Sequence, residues 1–154
     1  LQKEIKLTAY SISELIRIAG NNIDTNEKNT GNIIGNQELW KNQLRDIIIE
    51  DNTQLLLDGH CCLLDENGNI YELPHDTFED TDLNKIILIK NNPEVTVRNL
   101  RKRDNKKYEL EFIKQFQKCE EECAMKLSEA YHVPLFVYDN VNKYDKLKKF
   151  ILEK

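Results

Sequence analysis

Three short runs of uninterrupted apolar residues stand out against a largely polar chain. They lie at 53–58 within TQLLLDGH, at 85–90 (KIILIK), and in PLFVYD from Pro134. Runs this short, bounded by Gly, Pro, Asn or Asp, fit strands buried in a parallel sheet. The stretch 4–10 (EIKLTAY) alternates apolar and polar and predicts a further strand. Elsewhere the apolar residues recur every three or four positions, which predicts helices. One helix follows Ser11 and stops at Gly20, with Ser11 and Glu14 spaced as a capping box. Another spans 37–50 on Leu39, Trp40, Leu44, Ile47 and Ile48. A basic helix spans 94–103, opened by Pro93. A long one runs over 108–131, with Leu110, Ile113, Phe116, Gln117, Glu120, Ala124, Leu127 and Ala130 inward. A terminal one covers 144–152. Between 61 and 73, two strand-like stretches flank Asn67 and Gly68, a strong hairpin signal. Residues 21–35 are rich in Asn, Thr, Asp and Gly and read as a long loop. The two readings of that loop are a substrate-binding lid and a variable surface connection.

Strands alternating with helices predict an α/β fold with a mostly parallel sheet, and no linker or repeat divides it, so residues 1–154 read as one domain. Size, charge and cysteines add limits. A length of 154 residues suits a single core. A net charge of −5 with 32% charged residues gives no electrostatic reason for nucleic-acid binding. No apolar run approaches the roughly 20 residues of a membrane span. Residues 1–10 carry Lys and Glu where a secretory signal needs an apolar stretch. Cys61, Cys62, Cys119 and Cys123 do not form a secreted disulfide pattern and are expected as free thiols of a cytoplasmic protein. The alternative is a metal site built from His60, Cys119 and Cys123.

Asp58, at the end of the 53–58 run, has two readings: a carboxylate delivered to the ligand-binding edge of a parallel sheet, or a simple turn residue before Gly59. The surrounding motifs bear on the choice. LLLDGH, the earlier YSISELIR, the later KIILIKNNPEVTVRNLRKRD and the closing VPLFVYDN occur in the order and spacing of P-loop nucleoside and nucleotide kinases. The chain resembles the adenylate-kinase type. Within that type it is similar to a set of small bacterial and archaeal ATP-binding proteins that carry an LDGH stretch. The resemblance spans nearly the whole chain from about Ile5. It implies a three-layer αβα fold with strand order 2-3-1-4-5. One departure is large. Nothing in the sequence fits the phosphate loop G-x-x-x-x-G-K-[ST], because Gly20, Gly31, Gly35, Gly59 and Gly68 are scattered and none precedes a Lys. The first strand and the loop of the kinase pattern are therefore expected upstream of Leu1, on roughly 20–30 residues.

The resemblance implies roles for individual residues. Asp58 would stand near Mg²⁺, through water, with ATP as co-substrate. Arg98, Arg101 and Arg103 match the lid, where fixed positive charge stabilises a transferring phosphoryl group. Ser11, Ser13, Arg17 and His60 match the side that binds the small-molecule acceptor. Arg98, Asp139 and Asn140 match the side that binds the nucleotide. Adenylate kinases continue the LDGH position with Pro and then Arg, whereas this chain has Cys61 and Cys62, which leaves the acceptor open. Three functions compete: an ATP-dependent phosphotransferase, a nucleotide-binding switch that presents a loop or hairpin to a protein partner, and a domain that only makes protein contacts.

Overall fold

A computed structural model describes residues 5–20, 29–30, 32–104 and 108–153. The fold is mixed α/β with parallel strand pairs, and the chain divides into two compact units, Leu1–Asn69 and Ile70–Lys154.

The first unit is built on β1 (Leu7–Ser11) and β3 (Gln54–Asp58), which pair in parallel from Leu7 opposite Gln54 to Ser11 opposite Asp58. Gln54 N–H extends the ladder backward by donating to the Lys6 carbonyl at 2.9 Å. Between the strands come α1 (Ile12–Ile18) and α2 (Ile33–Arg45), which pack together through Leu15, Ile16, Ile33 and the fully buried Trp40. Gln37 is buried beside Trp40. Its Oε1 accepts the indole N–H at 2.8 Å and its Nε2 donates to the Ile33 carbonyl at 3.0 Å, so the polar groups are satisfied inside the core. The two-residue strand β2 (Asn29–Thr30) pairs in parallel with β4 (Cys62–Asp65). The chain then reverses between Asp65 and Asn69. The Asp65 carboxylate accepts the N–H groups of Asn67 and Asn69 and the side-chain amide of Asn69 at 2.8–3.0 Å. These bonds, led by the Asn69 amide, hold its carboxyl below the usual range.

In the second unit, β5 (Ile70–Glu72) is followed by a 3₁₀ turn at His75–Phe78 and by β6 (Ile86–Ile89), which pairs in parallel with β7 (Leu135–Tyr138). Between β6 and β7 run α3 (Pro93–Asp104) and the long α4 (Leu110–Tyr131). Asn92 caps α3 by accepting the N–H of Glu94 at 2.8 Å. Ile113, Cys123, Ala124 and Leu127 form the buried side of α4. His132 ends the helix in the left-handed conformation at φ +53°, and Ser128 Oγ donates to the Val133 carbonyl at 2.6 Å. A short 3₁₀ turn, Val141–Lys143, leads into α5 (Tyr144–Leu152), which buries Leu147 and Ile151.

Several expectations need correction. Ser11 occupies the N-cap of α1, but its side chain makes no cap hydrogen bond; its hydroxyl pairs instead with Ser13 Oγ at 2.8 Å. The second helix begins four residues earlier than the apolar spacing predicts, because Asn32 Oδ1 caps it by accepting the Gly35 N–H. It also ends at Arg45, so Ile48 is 95% exposed rather than inward. Of the 21–35 loop, 21–28 and 31 lie outside the described residues. Cys61 and Cys123 are in no disulfide, as expected, while Cys62 and Cys119 are not reduced thiols. No helix among the described residues is long and apolar enough to cross a membrane.

Lys85, just before β6, fastens α5. Its ammonium donates to the carbonyls of Phe150 at 2.7 Å, Ile151 at 3.2 Å and Glu153, and lies 5.4 Å from the Phe150 ring centre. These are carbonyls that a helix end leaves without intrahelical donors, at its negative pole. Lys85→Met keeps most of the aliphatic stem and removes the donors. It is expected to lower unfolding free energy by about 1–2 kcal/mol in a denaturant titration.

Candidate functional site

Parallel pairing puts the carboxyl ends of β1 and β3 on one edge of the first unit, and Asp58 stands there directly opposite Ser11. Asp58 is solvent-exposed. The Ser11–Ser13 hydroxyl pair lies on the adjoining turn into α1. Arg17 is four residues beyond Ser13, on the same side of α1, and is exposed with Glu14 at 3.9 Å. Thus Asp58, Ser11 and Ser13 share one edge, with Arg17 a helical turn away. The exposed His60 lies two residues past Asp58.

Gly59 makes the close approach after Asp58 feasible. A Cβ at Gly59 would press on Ile12 Cδ1 and stand 3.1 Å from Ile12 Cγ1. The chain leaving β3 therefore passes directly over the first residue of α1, where a side chain would force Ile12 to move.

Among the described residues, no group of three or more His, Cys, Asp or Glu side chains is placed to hold a metal. The alternative of a metal centre on His60, Cys119 and Cys123 is thus not borne out. A lone exposed carboxylate does fit a different arrangement, in which Mg²⁺ arrives on phosphate oxygens, keeps several waters and takes one protein carboxylate.

The second unit has its own polar surface. An open cleft of about 160 Å³ is lined by Asn91, Thr96, Asn99, Leu100 and Arg103. Asn91 follows the carboxyl end of β6, and the other four fall at i, i+3, i+4 and i+7 along α3, which is one helical stripe. The three arginines of α3 consequently divide. Arg103 lies on the cleft stripe. Arg98 and Arg101, three apart, share the opposite face, about 140° and about 160° round the axis from Arg103 at 3.6 residues per turn. All three are exposed.

Asp139 and Asn140 follow β7 and make local bonds. Asp139 pairs with Lys143 Nζ at 2.7 Å, and Asn140 Oδ1 accepts the Asn142 N–H at 2.9 Å, capping the short turn before α5. The Lys143 hydrogen bond, aided by the more distant charge of Lys90, holds the Asp139 carboxyl below its ordinary range. Asn91, Thr96 and Asn99 are cleft residues that sequence reasoning missed. Their signal was the 96–99–100–103 stripe, overshadowed by the conspicuous charges beside it.

Mixed α/β structure, parallel strand pairs and a carboxylate at a strand's carboxyl end define the class: an αβα fold of the P-loop, kinase-like kind. A family model described as an AAA domain matches residues 1–117, and the chain belongs to that family, one of nucleotide-binding P-loop proteins of kinase-like character. No curated protein matches the chain. The family match covers Asp58 and the α3 arginines and ends within α4, short of Asp139 and Asn140.

The Asp139–Lys143 pair has a defined pH signature. Because the folded pKa is depressed, the pair stabilises the fold above the unfolded pKa, and this contribution is lost as pH falls through the folded value. Lys143→Gln is expected to raise the Asp139 pKa toward the ordinary 3.8, read by carboxyl-carbon NMR titration. An unchanged titration would show that the pair does not form in solution.

Proposed function

We propose that this chain is an ATP-dependent phosphotransferase acting on a small hydroxyl- or phosphate-bearing acceptor. The observation that carries the reading is Asp58 at the carboxyl end of β3, level with Ser11 and beside the Ser11–Ser13 hydroxyl pair, in a chain of the P-loop kinase-like class. Open parallel sheets bind ligands at this edge. Asp58 would hold the cation of Mg-ATP through water, and the cation would supply charge neutralisation at the phosphates. The kinase resemblance assigns Arg98, Arg101 and Arg103 to phosphate charge, and within the second unit Arg103 lies on the α3 cleft. Asn91 and Asn99 would add amide donors and acceptors for the nucleotide there. Ser11, Ser13, Arg17 and His60 are assigned to the acceptor. Asp139 and Asn140, with their local pairings in place, are assigned to the nucleotide side.

A second reading has one observation in its favour. Cys61 and Cys62 stand where adenylate kinases carry Pro and an acceptor-binding Arg. A protein without that Arg could bind nucleotide as a switch and transfer nothing.

The test uses the full chain with Mg-ATP and a panel of nucleosides, nucleotides and small alcohols, and follows ATP consumption. Asp58→Asn is expected to reduce turnover by about 100-fold while ATP still binds. Arg103→Ala is expected to weaken ATP binding by about tenfold. Turnover that survives Asp58→Asn removes the assigned role of the carboxylate. ATP binding without consumption across the whole panel favours the switch.

A further inference from the structure

Two residues of the α3 cleft are bridged by one that does not line it. Gln117, on α4, directs its side-chain amide at both walls. Nε2 donates to the Asn91 carbonyl at 3.3 Å and to Thr96 Oγ1 at 3.1 Å. An amide nitrogen carries two hydrogens, so both bonds form at once. The Thr96 hydroxyl passes its own proton to the Asn92 carbonyl at 3.2 Å, which leaves it an acceptor toward Gln117. One turn further along α4, Glu121 takes Lys90 Nζ at 2.8 Å. Lys90 is itself locked to β7 through its backbone N–H and the Tyr138 carbonyl at 2.9 Å. Lys90 and Asn91, where the chain leaves β6, are therefore tied to α4 at two points four residues apart on one helix face.

We infer that Gln117 is a positioning residue of the nucleotide cleft: it sets the separation between Asn91, at the end of β6, and the α3 stripe of Thr96, Asn99 and Arg103. This rests on the proposed nucleotide site. It adds a residue that acts through two others and touches no ligand itself. The physical argument is one of alternatives. Without Gln117 the Asn91 carbonyl and the Thr96 hydroxyl still bond water, so the fold loses little. What is lost is the fixed distance between the two walls, and binding affinity is sensitive to that distance.

The experiment measures Mg-ATP affinity by calorimetry and melting temperature by thermal unfolding, on the full chain. Gln117→Met keeps volume and removes the donor. The expected result is a Kd raised about fivefold to tenfold with little change in melting temperature, the size of a lost hydrogen-bonded brace. Thr96→Val should raise Kd as well, and the double variant should be less impaired than the product of the two, because both break one linkage. If Gln117→Met leaves Kd unchanged while Arg103→Ala raises it, the positioning role fails and the nucleotide cleft stands. If melting temperature falls and Kd does not move, Gln117 is a packing residue only. If the unaltered protein binds no Mg-ATP, the nucleotide reading fails and this inference with it.

Discussion

Parallel strand pairing is the constraint on which this protein's chemistry depends. Two antiparallel neighbours would send their carboxyl ends to opposite edges. Two parallel neighbours deliver both ends, and the turns that follow, to the same edge. In the first unit this sets Ser11 opposite Asp58; in the second it sets Ile89 opposite Tyr138, so that Lys90 and Asp139 emerge together. The ladder bonds join backbone to backbone, yet their register decides which polar side chains can be neighbours. A one-residue slip of β3 against β1 would turn Asp58 to the other face and put Leu57 where the carboxylate now stands.

The helices hold these edges by different means. In the first unit the fixing is steric. Gly59 lets the chain run against Ile12, and the apolar contact of α1 with α2 around Trp40 keeps that first turn in place. In the second unit the fixing is polar. Gln117 and Glu121 on α4 hold the end of β6, and Lys85 holds the end of α5. Side-chain hydrogen bonds to backbone carbonyls suit that task. They restrain a loop at defined points while leaving its other faces free for a ligand.

Much of the fold was legible in the sequence because the signals were continuous. The runs 53–58, 85–90 and PLFVYD each became a strand, and the long 3,4 pattern of α4 was found within two residues at its start and correctly at its end. The errors came where local chemistry outweighed period. Ile47 and Ile48 extend the apolar spacing of α2, but the helix closes at Arg45 and leaves Ile48 in solvent. Asn32 and Gly35 looked like loop residues because of their type, when Asn32 is the cap and Gly35 supplies the capped N–H. Ser11 and Glu14 had capping-box spacing, but a second hydroxyl at Ser13 competes for Ser11. The cysteines misled for another reason: sequence spacing carries no information on which thiols stay free.

The site was legible as an inventory and not as an arrangement. Asp58 drew notice as the end of an apolar run, but the run alone left a turn residue and a site carboxylate equally open, and the resemblance to P-loop kinases made it a candidate. The α3 arginines were identifiable by charge. Charge alone could not separate them, whereas helix geometry does. Only Arg103 falls on the stripe of Thr96, Asn99 and Leu100, and that stripe borders the cleft. A guanidinium on the far side of α3 would act on a phosphate placed in that cleft only through solvent, where screening reduces a charge interaction to about 1 kcal/mol or less at close range. One on the stripe can bond directly, and charge-assisted bonds are roughly twice as strong as neutral ones. Asp139 engages Lys143 through Oδ1 at 2.7 Å, and a carboxylate has a second oxygen with further acceptor capacity. Its position after β7 parallels that of Asp58 after β3, with a local cation already set beside it.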